Sequence, residues 1–161
     1  MNVAKWMSLG LVSVVLAACA SIQGVEHFKP GTVSIEQVRA REKPSAEWKN
    51  ADGTLTLEYD ARPDTDQNLM LDFDDKGRLS AIREVITLEN LALLRLAMTK
   101  MEVRRILGNP RHVSKDGVTG GEFWEWPLDL PDSTLPQNQI SVLFHPVADG
   151  VVRITRSVRY P

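Results

Sequence analysis

Three histidines, twenty-one carboxylates and one cysteine are the groups in this 161-residue chain with chemistry to offer. His27, His112 and His145 have no metal-ligand spacing between any two of them. No serine sits in a Gly-x-Ser-x-Gly elbow. Asp72, Asp74 and Gly77 resemble the start of a calcium loop. Positions five and twelve of that loop would be Lys76 and Arg83, where an oxygen ligand and a bidentate glutamate are needed. A cation there repels the metal, so the segment reads as a hairpin turn. The carboxylates are many, but their spacing places no pair in a cleft. No metal or cofactor is implied, and the chain is not expected to be an enzyme.

Side chains suited to recognition are easier to find. Trp124 and Trp126 lie two apart in one strand and share a face. That face is either core or an aromatic patch for a partner, since Trp and Tyr concentrate binding energy. Tyr59 occupies in an earlier strand the place that Trp126 holds in the later one. Arg83 and Arg156 each interrupt an apolar row, Leu79-Ala81-Arg83-Val85 and Val152-Ile154-Arg156-Val158. They either snorkel from a sheet end or pair with carboxylates between units, with an anionic partner or with lipid headgroups.

The elements that carry these residues are written around Leu96 to Pro110. Thr99 is a natural N-cap, and Glu102 three residues on completes a capping box. Met98, Met101 or Glu102, Ile106 and Leu107 form the apolar stripe, with Arg104 and Arg105 outside it. Gly108 permits the left-handed turn that ends the helix, and Pro110 forbids continuation. Pro30 to Pro44 echoes this design: Ser34 caps, Gln37 answers it, and Val38-Arg39 matches Val103-Arg104. The echo extends further. Ala46 to Lys49, Thr54 to Tyr59, Leu69 to Phe73 and Arg78 to Thr87 read as four strands after the first helix. An apolar-rich helix over Leu88 to Leu96 opens the second half. There Arg111 to Ser114, Glu122 to Trp126, Ile140 to Phe144 and Val151 to Tyr160 repeat the strand order. Strands joined by short turns, with helices before them, give an α+β fold. Each of the two tandem units is expected to pack helices on an antiparallel sheet of three to four strands. Each is marginal alone, so the two should share an interface.

The N-terminus reads as a targeting segment. Lys5 precedes an apolar run from Trp6 to Leu16, shorter than the ~20 residues of a membrane-spanning helix. Leu16-Ala17-Ala18-Cys19 then resembles a bacterial lipobox, in which the cysteine receives diacylglycerol and becomes the new N-terminus; the alternative is an ordinary signal peptide cut at Ala-x-Ala-like residues, with Cys19 incidental. An acyl anchor of this kind holds firmly, at about 0.8 kcal/mol per buried CH2. Cys19 is the only cysteine, so no intrachain disulfide forms. Ala20 after it resembles the sorting context of outer-membrane lipoproteins. Cleavage would remove one charge, Lys5, and take the net charge from −2 to −3, which speaks against a nucleic-acid binder. The chain then divides into a signal peptide (1–18), a lipidated tether (19–27) and two units (28–87 and 88–161).

Ala97-Met98-Thr99, Val103 and Leu107-Gly108-Asn109-Pro110 resemble the helix signature of the SmpA/OmlA, or BamE-like, family of outer-membrane lipoproteins. Trp124 with Trp126, and Phe73-Asp74-Asp75-Lys76-Gly77-Arg78-Leu79, are similar to its aromatic strand and hairpin. The chain departs from the pattern at Ala97, where the family has glycine, and at His145-Pro146, where it has an Asp turn. The duplication is more similar to the β-lactamase-inhibitor-protein architecture, which uses one such unit twice. The resemblance covers most of the chain after Phe28. It implies a periplasm-facing lipoprotein of the outer membrane that binds other envelope proteins, among them subunits of the outer-membrane protein assembly complex. An inhibitor- or sensor-like module clasping another envelope protein is the alternative. An envelope hydrolase ranks below both, since it requires a polar cleft.

Overall fold

A computed structural model describes residues 24–60, 67–128 and 138–158. Cys19 and its lipobox lie outside these residues. Helix α1 (Ile35–Arg41) is followed by β1 (Ala46–Lys49), β2 (Leu55–Tyr59), β3 (Leu69–Phe73) and β4 (Leu79–Glu84). Two short helices, α2 (Leu88–Leu91) and α3 (Lys100–Leu107), precede β5 (His112–Lys115), β6 (Glu122–Leu128), β7 (Asn138–Phe144) and β8 (Val151–Val158). The strands form two separate four-stranded antiparallel sheets, each paired in chain order. The class is α+β, with few helices.

The helix starts follow the side-chain chemistry. Ser34 and Gln37 form one capping box, and Thr99 and Glu102 the other. Each N-cap is also tied to the start of its unit's last strand. Leu79 N–H donates to Val33 O at 3.0 Å, and Val151 N–H to Met98 O at 2.8 Å. Both sheets carry a bulge at the same place, between Asp72 and Phe73 and between Leu143 and Phe144. Ser80 and Val152 are the unpaired residues on the facing strands. The halves therefore share a capped helix, four strands in the same order, the tie and the bulge, and the second half adds α2.

Each unit has its own core. Val38 of α1 packs with Leu57, Leu71, Phe73 and Leu79. Val103 and Leu107 of α3 pack with Trp126, Val142 and Phe144. The apolar stripe of α3 thus centres on Val103, and Met101, expected to be part of it, is 60% exposed. Three boundaries also need correcting. Val25, placed in the tether, is 1% exposed and belongs to the first core, so the fold begins before Phe28. The helix expected over Leu88 to Leu96 stops at Leu91, because α3 must start at a cap already fixed by the tie to Val151. That tie overrides the local helix propensity. The strand expected to reach Thr87 ends at Glu84. Beyond it Val85 and Ile86 are buried as the chain crosses to the second unit, Ile86 in the second core.

Helix α3 joins the units. One side closes the second core, and the other lies on the outer face of the first sheet. There Arg104 Nε meets Glu58 Oε2 at 3.1 Å, and the Glu58 side chain is fully buried. The Trp48 indole N–H donates to the same carboxylate at 3.2 Å. The Arg104 and Arg105 guanidiniums sit 5.7 and 4.9 Å from the Trp48 ring centroid. Burial pushes the Glu58 carboxyl up, and Arg104 opposes that by stabilising the charged form. The turn after α3 completes the seam. The Asn68 side-chain amide donates to Leu107 O at 2.8 Å and Asn109 O at 2.7 Å, and the Trp126 indole donates to Gly108 O at 3.3 Å. Gly108 has φ 73°, and a Cβ there would lie 2.8 Å from the Asn68 amide nitrogen. Glycine serves both the helix end and the approach of the first unit.

Candidate functional site

The five residues singled out for recognition separate into core and surface. Trp126 is fully buried, and Tyr59 is 4% exposed with its hydroxyl donating to Glu42 O. Burial pushes the Tyr59 phenol up to about 12. Both rings belong to the cores and present no surface, which corrects their assignment as partner contacts. Arg83 pairs with Asp72 on the neighbouring strand at 2.6 Å, so its carboxylate lies within its own sheet and not across the unit interface. Arg156 donates to Asn138 Oδ1 at 3.4 Å.

The proposed equivalence of the two arginines also fails. The bulge at Ser80 shifts the period, so Leu79 and Ile82 face the core while Arg83 faces outward beside Met70. In the second sheet the residue paired like Arg83 is Thr155, opposite Ser141. Arg156 matches Glu84 instead.

Trp124 remains, half-buried at the β5 edge of the second sheet. Strand alternation puts it on the α3 side, where it packs against the core without being enclosed by it. Its ring meets Phe144 and Trp126 edge-on, with centroids 5.0 and 6.1 Å away. Its indole N–H donates to Glu122 Oε1. Lys100, at the start of α3, lies 5.9 Å from the Trp124 centroid and bonds Glu122 at 3.1 Å, with Asp149 at 3.7 Å. The Trp124 hydrogen bond, then Lys100, holds the Glu122 carboxyl below its usual range. Val113, register partner of Trp124 on the edge strand, is 48% exposed. The result is an aromatic shoulder with a fixed ring, an aliphatic neighbour and a balanced pair of charges. It is suited to contact with another macromolecule.

Two functional placements had no signal that sequence reasoning used. Lys100 was seen only as a residue of the helix. His145 was noted as a departure from an Asp turn, and its role is clear in the structure. Asp74 Oδ1 accepts from Lys76 N–H and Arg78 N–H at 3.0 and 2.8 Å. His145 Nδ1 accepts from Val147 N–H and Ala148 N–H at 3.1 and 3.0 Å. Imidazole therefore takes the acceptor place of the aspartate in the turn. Among the described residues no group of three or more His, Cys, Asp or Glu could hold a metal ion, and no helix is long and apolar enough to cross a membrane.

Compared with family models, with curated proteins and with solved structures, the chain matches none.

Proposed function

We propose that this chain is a lipoprotein of the outer membrane, anchored through acylated Cys19 and facing the periplasm, that binds other envelope proteins. Its two halves are read as tandem units of the SmpA/OmlA kind. The observation that carries the binding function is Trp124: a large ring held in one orientation by Phe144, Trp126, Glu122 and Lys100, yet open beside Val113. A ring already fixed loses little freedom on binding, which is how aromatic anchors concentrate affinity. The capped helix with its Leu107-Gly108-Asn109-Pro110 turn and the lipobox support membership of the family. Within it, the favoured work is as an accessory of the outer-membrane protein assembly complex.

The test is co-purification from envelope membranes with the acylated chain as bait. Trp124→Ala is expected to weaken recovery of the partner at least about tenfold, with the melting temperature falling only by the few degrees that loss of a half-buried ring entails. Unchanged recovery would remove Trp124 from the interface. Recovery of assembly-complex subunits supports the accessory role. Recovery of one unrelated envelope protein instead supports the inhibitor- or sensor-like reading.

A further inference from the structure

The seam inside this molecule is a helix laid on the outer face of a sheet, pinned by Arg104 on Glu58. The second sheet has the same outer face, and none of the described elements covers it. Its register places Glu125 where the first sheet has Glu58, opposite Ser141 as Glu58 is opposite Met70. Glu125 accepts a hydrogen bond from the Ser141 hydroxyl at 3.1 Å, and no cation bonds it among the described residues. At the other end of the molecule α1 exposes Arg39, with Gln37, Ala40 and Arg41 lining a cleft beside Gly24, His27 and Phe28. Arg39 follows the buried Val38 as Arg104 follows the buried Val103, and it is exposed. The molecule thus ends in one half of its own seam on each side.

We propose that the outer face of the second sheet docks helix α1 of a second copy of this chain, with Arg39 of one copy on Glu125 of the other. The association continues, head to tail, the helix-on-sheet stacking that joins the two units. Side-chain size fits that arrangement. At the inner seam the bulk comes from Arg105 lying over Trp48 beside the small Thr56. On the open face Phe123 holds the register place of Thr56 with Arg153 over its ring at 5.5 Å, Ser114 holds the place of Trp48, and the helix residue matching Arg105 is Ala40. The bulk that Trp48 and Arg105 supply at the inner seam is supplied on the open face by Phe123 and Arg153 of the sheet. Arg39 is held in the free chain by Glu47 at 2.6 Å, but both side chains are about 40% exposed. The pair is forked, Nε and Nη2 on the two carboxylate oxygens at 2.9 and 2.6 Å, so docking exchanges it for the pair with Glu125. A head-to-tail contact of this kind does not close on itself, so it grows with concentration. It uses the face of the sheet opposite Trp124 and is independent of the function proposed for that ring.

Sedimentation velocity of the purified full chain in mild detergent, over about a hundredfold range of concentration, tests this. The expected result is a mass that rises with concentration. Arg39→Glu and Glu125→Arg should each weaken self-association at least about tenfold, because like charges then face each other. An equimolar mixture of the two variants should associate again, since each supplies the charge that the other lacks. Glu47→Ala, which frees Arg39, should strengthen association, a gain that misfolding cannot mimic. A chain that stays monomeric throughout, charge variants that associate like the wild type, or a mixture that stays apart would overturn the proposal.

Discussion

At the scale of single residues, the strained positions explain themselves through neighbours. Ala97 has φ 67°, a region that costs an L-residue about 1–2 kcal/mol. It is held there because its N–H donates to Val151 O at 2.8 Å, while Gly150 packs against its backbone. Ala97→Gly should therefore stabilise the chain by about 1 kcal/mol in urea unfolding, where an unstrained alanine replaced by glycine would cost a similar amount. Glu84 stores cost of another kind. Desolvation pushes its carboxyl up to about 6 from an ordinary 4.5, and its Oε2 has no hydrogen-bond partner among the described residues. The unfolded chain releases this proton first as pH rises, so Glu84 costs stability progressively between pH 4.5 and 6. Glu84→Gln should flatten the stability profile across that window. It should recover about 1 kcal/mol at pH 7 once solvent screening of a partly exposed group is allowed for. The check is chemical denaturation at a series of pH values.

At the scale of elements, the parts fixed by local chemistry were legible in the sequence. Ser34 with Gln37 and Thr99 with Glu102 marked both helix starts, and alternation marked the strands to within a few residues. What escaped was set by contacts distant in sequence. An unpaired Ser80 or Val152 leaves no trace in an alternating pattern, so alternation groups Leu79 with Ala81 and Arg83, which face the other way, and matches Arg83 to Arg156 where the register gives Thr155. Helix α2 was drawn too long because apolar content over Leu88 to Leu96 cannot reveal the tie that fixes Thr99. Arg104 was placed outside the helix stripe because its partner, Glu58, lies 46 residues away. A charged residue in the middle of the apolar strand Leu55 to Tyr59 was the one available hint. Trp124 and Trp126 were rightly seen to share a face, but only the end of β5 and the reach of α3 decide that one ring is enclosed and the other half open.

At the scale of the whole molecule, the units are joined through a buried ion pair and a shared turn. Removing one partner of such a pair is far more costly than removing both, because an uncompensated charge stays behind. Arg104→Met should lower stability by about 3–5 kcal/mol, and Arg104→Met with Glu58→Gln should recover much of that. Thermal unfolding of the three chains checks this, and equal losses in the single and double variants would deny the pair its role at the seam. Helix α3 covers the first sheet's outer face around Glu58, and Trp124 and Val113 of the second unit reach solvent, which is where the proposed recognition falls. In the proposed setting the acyl anchor lies only a few residues before Val25, which keeps the whole molecule close to the membrane surface.

A photo-crosslinker placed at Val113, beside Trp124, in the acylated chain within intact envelopes tests the binding function most directly. An adduct with another envelope protein, lost when Trp124→Ala is added, is the expected result. A chain that is anchored and folded yet yields no adduct from Val113, or the same adduct without the Trp124 ring, would contradict it.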